Sequence, residues 1–164
     1  MRTLIYVETT VPSFYAETRE DEEVRIRRKW TRDWWHLAHI GQDLVTSFVV
    51  QDELERIPDT ATRKAALRLI APLEQLVYTP EIEEIVEVYL GHKLMPREGL
   101  GDAAHLALAS FHHCDILIIT WNCRHLANAN KTGHIRRVNA LLGLETPLLV
   151  TPLELMEKDD EIET

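Results

Sequence analysis

The fold is decided by residues 102–120, which read DAAHLALASFHHCDILIIT. The alanine- and leucine-rich part over 102–113 predicts a helix. The apolar, largely β-branched run over 116–120 predicts a strand that is buried on both faces. Strands that are separated by helices form a mainly parallel sheet with helices on both sides. This stretch therefore predicts an α/β protein.

The alternation of helix and strand continues on both sides of that stretch. Further strands are predicted at 4–7, 43–50, 76–78 and 148–150. The first strand is expected to open into a loop at Glu8, and helices are predicted over 24–40, from Asp52, over 62–75, from Pro80 and up to Leu142. We expect a three-layer α/β fold with a mainly parallel central sheet flanked by helices.

Length and charge limit the class of protein. The 164 residues suit one domain, predicted over 1–155, followed by an acidic tail over 156–164. The chain has 18 basic and 27 acidic residues, a formal net charge of −9. That balance argues against holding nucleic acid by general electrostatics, but not against an enzyme that meets phosphate through a metal ion.

The sequence contains no sign of membrane insertion or of a disulfide framework. No apolar run approaches the roughly 20 residues that span a bilayer. The N-terminal stretch carries Glu8 and lacks a small-residue cleavage site, so it predicts a strand and not a signal peptide. Cys114 and Cys123 make neither a disulfide framework nor a zinc set. We expect a cytoplasmic protein without a membrane segment.

Polar residues stand where the predicted strands end. Glu8 follows the first strand, Glu53 follows the second, and Asn122 follows the strand over 116–120. Asp102 lies in the first turn of the helix that leads into that strand. Ligands of parallel sheets bind beyond the carboxyl ends of the strands, and Mg²⁺ prefers carboxylate oxygens. The pattern therefore predicts that these residues converge on a divalent cation.

Each of these residues also has a structural explanation. Glu53 and Asp102 are acids in first helical turns, where the helix dipole favours them. Asn122 can cap the next helix or form a turn. His105 lies about one turn from Asp102 and can hydrogen-bond that acid, although we expect a half-buried structural histidine.

Four segments resemble the motifs of the PIN-domain nuclease family, which includes the toxin ribonucleases of toxin–antitoxin pairs. They are IYVETT at 5–10, SFVVQDE at 47–53, GDAAHLALA at 101–109 and ILIITWN at 116–122. In that family, an acid ends the first strand, a second acid follows a serine by six positions, an aspartate leads an alanine-rich helix, and an apolar strand ends in Thr-x-Asp or Thr-x-Asn. The resemblance covers about residues 3–152.

The resemblance implies metal-assisted hydrolysis of RNA by a PIN-like fold, with Mg²⁺ as the cofactor and Mn²⁺ as a substitute. It implies that Glu8, Glu53 and Asp102 hold the ion and that Asn122 positions a water. Thr10 would hydrogen-bond a carboxylate or the substrate phosphate. It further implies an antitoxin protein that covers the acidic groove, and a homodimer.

Two departures keep an alternative open. The family usually has aspartate where this chain has Glu8, and often aspartate where it has Asn122. A PIN-like binding or regulatory module with weak or no catalysis therefore stays possible. A doubly wound small-molecule domain is disfavoured, because no glycine-rich phosphate loop follows the first strand.

The helix predicted over 24–40 carries the expected contact surface. Trp30, Trp34 and Trp35 present more apolar surface than one helix face usually buries, so we expect this helix to hold the homodimer together. The basic patch over 25–32 fits RNA phosphates, an acidic partner or a solvated helix face. Trp121, beside the predicted site, can stack on a base or pack in the core.

Overall fold

A five-stranded, all-parallel sheet forms the centre of the protein. The computed structural model describes residues 2–38, 40–95, 100–119 and 129–156. The strands are β1 (Thr3–Val7), β2 (Gln42–Thr46), β3 (Glu74–Gln75), β4 (Ile116–Ile118) and β5 (Leu148–Val150). Their order across the sheet is β3-β2-β1-β4-β5, and every neighbouring pair is parallel.

Helices cover both faces of this sheet. They are α1 (Thr10–Ala16), α2 (Glu22–Ala38), α3 (Phe48–Glu55), α4 (Thr60–Ile70), α5 (Pro80–Gly91), α6 (Leu100–Phe111) and α7 (Ala129–Leu141), and residues 152–156 add a short helix. The prediction of a three-layer α/β fold with a parallel sheet is confirmed. None of the helices in the described ranges is long and apolar enough to cross a membrane.

Alternation along the buried strands divides the core into two clusters. Ile5 and Val7 of β1 face a cluster that contains Val11 of α1 and Trp34 of α2. Tyr6, between them, faces a larger cluster that includes residues of α3, α4, α5, α6 and α7. Successive side chains of a strand point to opposite faces, so a continuous apolar strand serves both layers at once.

The order of the strands places a crevice beside β1. The chain moves outward from β1 through β2 to β3, and then returns to pair β4 with the other side of β1. This reversal between β1 and β4 is a topological switch point, where connections leave the sheet in opposite directions and ligands of parallel sheets bind. Glu8, directly after β1, lies at that position.

Several predicted boundaries were wrong, each for a local reason. The second strand ends at Thr46 and not at 50, because Val50 and Leu54 are buried at helical spacing and the helix begins at Phe48. The segment after Glu8 is the helix α1 and not a loop, since Val11 and Phe14 bury one face of it. The third strand is only the two residues Glu74–Gln75, and not 76–78.

The expected surplus of tryptophan surface was also wrong. Trp34 and Trp35 are 3% and 5% exposed and pack inside the chain's own core. Trp30 is partly buried, and the exposed large apolar side chains of α2 are Ile26 and Leu37, at 41% and 52%.

A buried polar cluster around Asn139 connects three helices. The hydroxyl group of Tyr89 in α5 donates to Asn139 Oδ1 at 2.6 Å. The Asn139 amide donates to Thr146 Oγ1 at 3.0 Å and to Ser110 Oγ at 3.2 Å. Because a buried polar group without a partner is costly, the cluster holds α5, α6 and α7 in one arrangement.

We predict that Asn139→Ala lowers the free energy of unfolding by about 1–3 kcal/mol, because it removes the acceptor of a buried hydroxyl. Urea denaturation measures this change. Leu141→Ala, on the same helix but 76% exposed, should stay within about 0.5 kcal/mol of the parent. Equal losses in the two variants would contradict the assigned role of the cluster.

Candidate active site

Glu8 is a buried carboxylate at the end of β1. It is only 2% exposed. Its Oε2 accepts a hydrogen bond from the backbone N–H of Thr10 at 3.0 Å and a second, short one from the Thr10 hydroxyl. Both donors belong to the first residue of α1, so the start of this helix orients the carboxylate. Thr10 therefore hydrogen-bonds the Glu8 carboxylate through both its backbone and its side chain.

Glu53, in α3, is held by His105 of α6. The ring Nε2 of His105 lies 2.6 Å from Glu53 Oε1, and the hydroxyl of Thr9 lies 3.3 Å from the same Nε2. His105 is completely buried. The expectation of a half-buried structural histidine beside Asp102 was wrong, because the ring lies in the core and its hydrogen bond goes to Glu53.

The other ring nitrogen of His105 is also hydrogen-bonded. Its Nδ1 lies 2.7 Å from the hydroxyl of Tyr6, which in turn lies 2.7 Å from the hydroxyl of Ser47. Ser47 occupies the N-cap position of α3, yet its side chain makes no capping hydrogen bond. The hydroxyl group bonds Tyr6 inside the protein instead of the helix end.

Gly101 leaves room for the Glu53 carboxylate at the start of α6. A Cβ atom at position 101 would lie 3.1 Å from Glu53 Oε1 and 3.3 Å from both Cδ and Oε2. Such contacts are tighter than about nine in ten that real Cβ atoms make, so with any larger residue at position 101 the carboxylate would have to shift by a few tenths of an ångström. The glycine therefore lets the backbone of α6 approach Glu53 closely.

Asp102 adds negative charge next to these groups. Burial raises the pKa of Glu8, and the charge of Asp102 adds to that rise against the opposing effects of His105 and of the Thr10 hydrogen bonds. The negative charges of Glu8, Glu53 and Asp102 also act to raise the pKa of His105. The three carboxylates thus lie in one electrostatic neighbourhood around a single imidazole.

The pKa values of Glu53 and His105 move in opposite directions. Burial works to lower the pKa of His105, but the hydrogen bond to Glu53 and the surrounding negative charges outweigh it, so this pKa is raised. Burial works to raise the pKa of Glu53, but the hydrogen bond and charge of His105 outweigh it, so this pKa is lowered. Both shifts favour an ion pair over two neutral groups.

Glu8, Glu53 and Asp102 therefore all act electrostatically on His105, and Glu8 directly follows β1 at the carboxyl end of that strand. Asn122 lies outside the described residues. Within 2–38, 40–95, 100–119 and 129–156, no group of three or more histidine, cysteine, aspartate and glutamate side chains is arranged to hold a metal ion. The charge of Asp102 reaches Glu8, Glu8 is hydrogen-bonded by Thr10, and Glu53 is hydrogen-bonded by His105.

Comparison with known proteins does not identify a family for this chain. No protein-family model matches the chain, and no curated protein matches it significantly. The functional interpretation rests on the residues of the site.

We predict that Glu53→Gln lowers stability most between pH 4.5 and 6.5, the ordinary pKa values of glutamate and histidine. The raised pKa of His105 stabilises the native state below 6.5 and is lost as pH rises through its native value. The lowered pKa of Glu53 stabilises above 4.5 and is lost as pH falls through its native value. Urea unfolding of parent and variant from pH 4 to 8.5 measures the difference.

The exposed Glu145→Gln, with the same change of charge, serves as the control and should show no such window. A stability difference that grows as pH rises above 6.5 would show that the His105–Glu53 ion pair does not carry the effect.

Proposed function

We propose that this protein is a metal-dependent endoribonuclease of the PIN type that hydrolyses RNA phosphodiester bonds in the cytoplasm. One observation carries the proposal: the buried carboxylate of Glu8 follows β1 at the switch point of a parallel sheet, and the charges of Glu8, Glu53 and Asp102 all act on the same buried histidine, His105. Such a crevice is the usual ligand site of this architecture. Excess negative charge at a ligand site is a reason to expect a cation there.

The donor set fits Mg²⁺ or Mn²⁺. Mg²⁺ commonly uses one or two carboxylates together with waters and substrate phosphate, so a closed cage of protein ligands is unnecessary. A carboxylate has about four acceptor sites, which lets Glu53 accept from His105 and also face an ion. Glu8, Glu53 and Asp102 would hold the ion. When bound, it would activate water and stabilise charge on the scissile phosphate.

The residues of the chain prepare the site for this chemistry. Thr10 holds Glu8 through two hydrogen bonds, and His105 holds Glu53 through one. Fixed carboxylates spend no free energy on reorganisation when substrate arrives. In this proposal, Asn122 positions a water, as the family resemblance implies.

One observation favours a binding or regulatory module instead. His105 already supplies a hydrogen bond and positive charge to Glu53, and the raised pKa of Glu8 favours its neutral form. The cluster can therefore reach a lower charge without a metal. Metal-dependent cleavage distinguishes the two functions.

The proposed partners are RNA, an antitoxin protein with a basic segment for the acidic groove, and a second copy of this chain. The basic patch on α2 is engaged locally: Lys29 pairs with Asp33 at 2.8 Å, and Arg28 donates to the carbonyl oxygens of Glu17 and Arg19. We therefore assign RNA binding to the carboxylate site and not to α2. For the homodimer we propose the exposed stripe Ile26, Leu37 and Ile40.

We predict that the protein cleaves single-stranded RNA with Mg²⁺ or Mn²⁺ and that Asp102→Asn lowers the rate at least ~100-fold, since a ligand charge is lost. Gel analysis of a labelled RNA measures the rate, with chelator added to one arm. Glu145→Gln makes the same charge change outside the site and should cleave like the parent. Cleavage that survives both the chelator and Asp102→Asn would refute the metal mechanism.

Metal binding itself has a separate readout in the melting temperature. An ion that binds only the native state stabilises it by mass action, by about 2.7 kcal/mol at ~100 times the Kd. Mn²⁺ should raise the melting temperature of the parent and of Glu145→Gln, and should raise that of Asp102→Asn less. Equal responses in all three proteins would exclude Asp102 as a ligand.

We predict that the chain is a homodimer at micromolar concentration and that Leu37→Ser shifts it toward monomer. Leu37 is 52% exposed and shares one side of α2 with Ile26, so the change removes apolar surface from the proposed contact. Light scattering after size exclusion measures the mass. Leu141→Ser, at a leucine 76% exposed on α7, should leave the mass unchanged. A monomeric parent at high micromolar concentration would contradict this contact.

A further inference from the structure

A continuous line of hydrogen bonds extends from the core to the candidate site. It runs from Ser47 Oγ to the hydroxyl of Tyr6, then to Nδ1 of His105, and from Nε2 of His105 to Oε1 of Glu53. The three inner residues, Ser47, Tyr6 and His105, are completely buried. The line joins three elements, β1, α3 and α6, and the junction before α3, so it is not a product of local chain geometry.

The donors and acceptors of this line are consistent in one direction. An ionised carboxylate only accepts, so Nε2 of His105 carries the hydrogen that it shares with Glu53. In the neutral ring Nδ1 is then an acceptor, which the hydroxyl of Tyr6 satisfies as a donor. Tyr6 in turn can accept from Ser47. In a protonated ring the two hydroxyl groups can turn round, so the ring stays hydrogen-bonded in the same place.

Burying the polar side chains of Ser47, Tyr6 and His105 costs free energy of folding. A hydroxyl and an imidazole in the core lose their hydration, and hydrogen bonds return only part of that free energy. Ser47 also gives up the capping bond that its position in α3 offers, which is typically worth ~1 kcal/mol. The free energy spent here holds the ring of His105 in one orientation.

We propose that Tyr6 and Ser47 are positioning residues that act through His105 to fix the Glu53 carboxylate. The carboxylate is bonded by Nε2 of His105, which the Thr9 hydroxyl also contacts, and it lies close to the backbone of Gly101. Glu53 requires the hydrogen on Nε2, and the Tyr6 hydroxyl, bonded to Nδ1, fixes where the ring points. That Glu53 acts on RNA rests on the function proposed above, whereas its positioning by Tyr6 does not.

The test compares Tyr6→Phe with Tyr89→Phe. Both changes delete one oxygen from a buried tyrosine whose hydroxyl makes a hydrogen bond of 2.6 to 2.7 Å, so a merely structural effect would be the same in both. Nitrogen-15 NMR of the His105 ring and carbon-13 NMR of the Glu53 carboxyl report position and tautomer without reference to activity. Cleavage at saturating Mg²⁺ reports the consequence.

We expect Tyr6→Phe to shift the signals of His105 and Glu53 and to lower kcat about 10- to 100-fold with a smaller change in KM, the range typical of residues that orient a metal's ligands. Tyr89→Phe should leave the signals and kcat unchanged. Ser47→Ala, which keeps the Tyr6 ring, should act in the same direction as Tyr6→Phe and serves if that variant does not fold.

The outcomes separate the two proposals. Unchanged His105 and Glu53 signals in Tyr6→Phe and Ser47→Ala overturn the positioning role, whatever the activity. Shifted signals with unchanged kcat overturn its catalytic consequence. A parent that cleaves no RNA refutes the proposed function, while the NMR signals still decide whether Tyr6 positions Glu53.

Discussion

Negative charge at the carboxyl edge of the sheet is the constraint to which the rest of the site responds. A carboxylate in the interior loses its hydration, and it persists only where hydrogen bonds or opposite charge replace the water. At Glu8 the hydrogen bonds from the first residue of α1 oppose burial without outweighing it, so its pKa is raised, whereas at the partly exposed Glu53 the bond from His105 prevails and the pKa is lowered. Because each carboxylate depends on a helix start or on a core residue, the packing of α1, α3 and α6 and the chemistry of the edge cannot be changed separately.

Periodicity made the architecture predictable where burial is strongest. The run over 116–120 is apolar on both sides, and only the centre of a helix-covered sheet offers such a strand two apolar faces. The structure shows why: Ile116 and Ile118 pack toward α1 and α2, while Leu117 packs in the other cluster. The short edge strand β3 gave no comparable signal, because its two residues are exposed and polar.

Short apolar runs produced the errors. Phe48 and Val50 extend the apolar pattern of β2, and periodicity alone does not distinguish the end of a strand from the start of a helix. The same ambiguity applied to Val11 after β1. The tryptophans of α2 misled for another reason: the sequence shows that aromatic residues are numerous, but not how much surface a sheet and a neighbouring helix can cover. Trp34 and Trp35 both fit between α2 and the sheet.

The acids of the candidate site could be proposed from the sequence, but the hydrogen bond between His105 and Glu53 could not. Glu8, Glu53 and Asp102 stand at strand ends or in a helix's first turns, positions that topology alone brings to one edge. His105 stands among alanines and leucines, and its sequence neighbour Asp102 was the obvious partner within α6. The actual partner is 52 residues away. Only the tertiary structure, which packs α6 against Tyr6 of β1, shows that the histidine hydrogen-bonds Glu53.

Three local features of the sequence become intelligible only together. A serine at an N-cap turns its hydroxyl away from the helix end, a histidine stands on the buried face of an alanine-rich helix, and Gly101 opens α6 with little helix propensity of its own. The serine leaves its capping bond unused, and the glycine has low helix propensity. All three contact Glu53 directly or through one hydrogen-bonded line. Natural sequences concentrate such local conflicts at functional sites, and all three of these features converge on one carboxylate, that of Glu53.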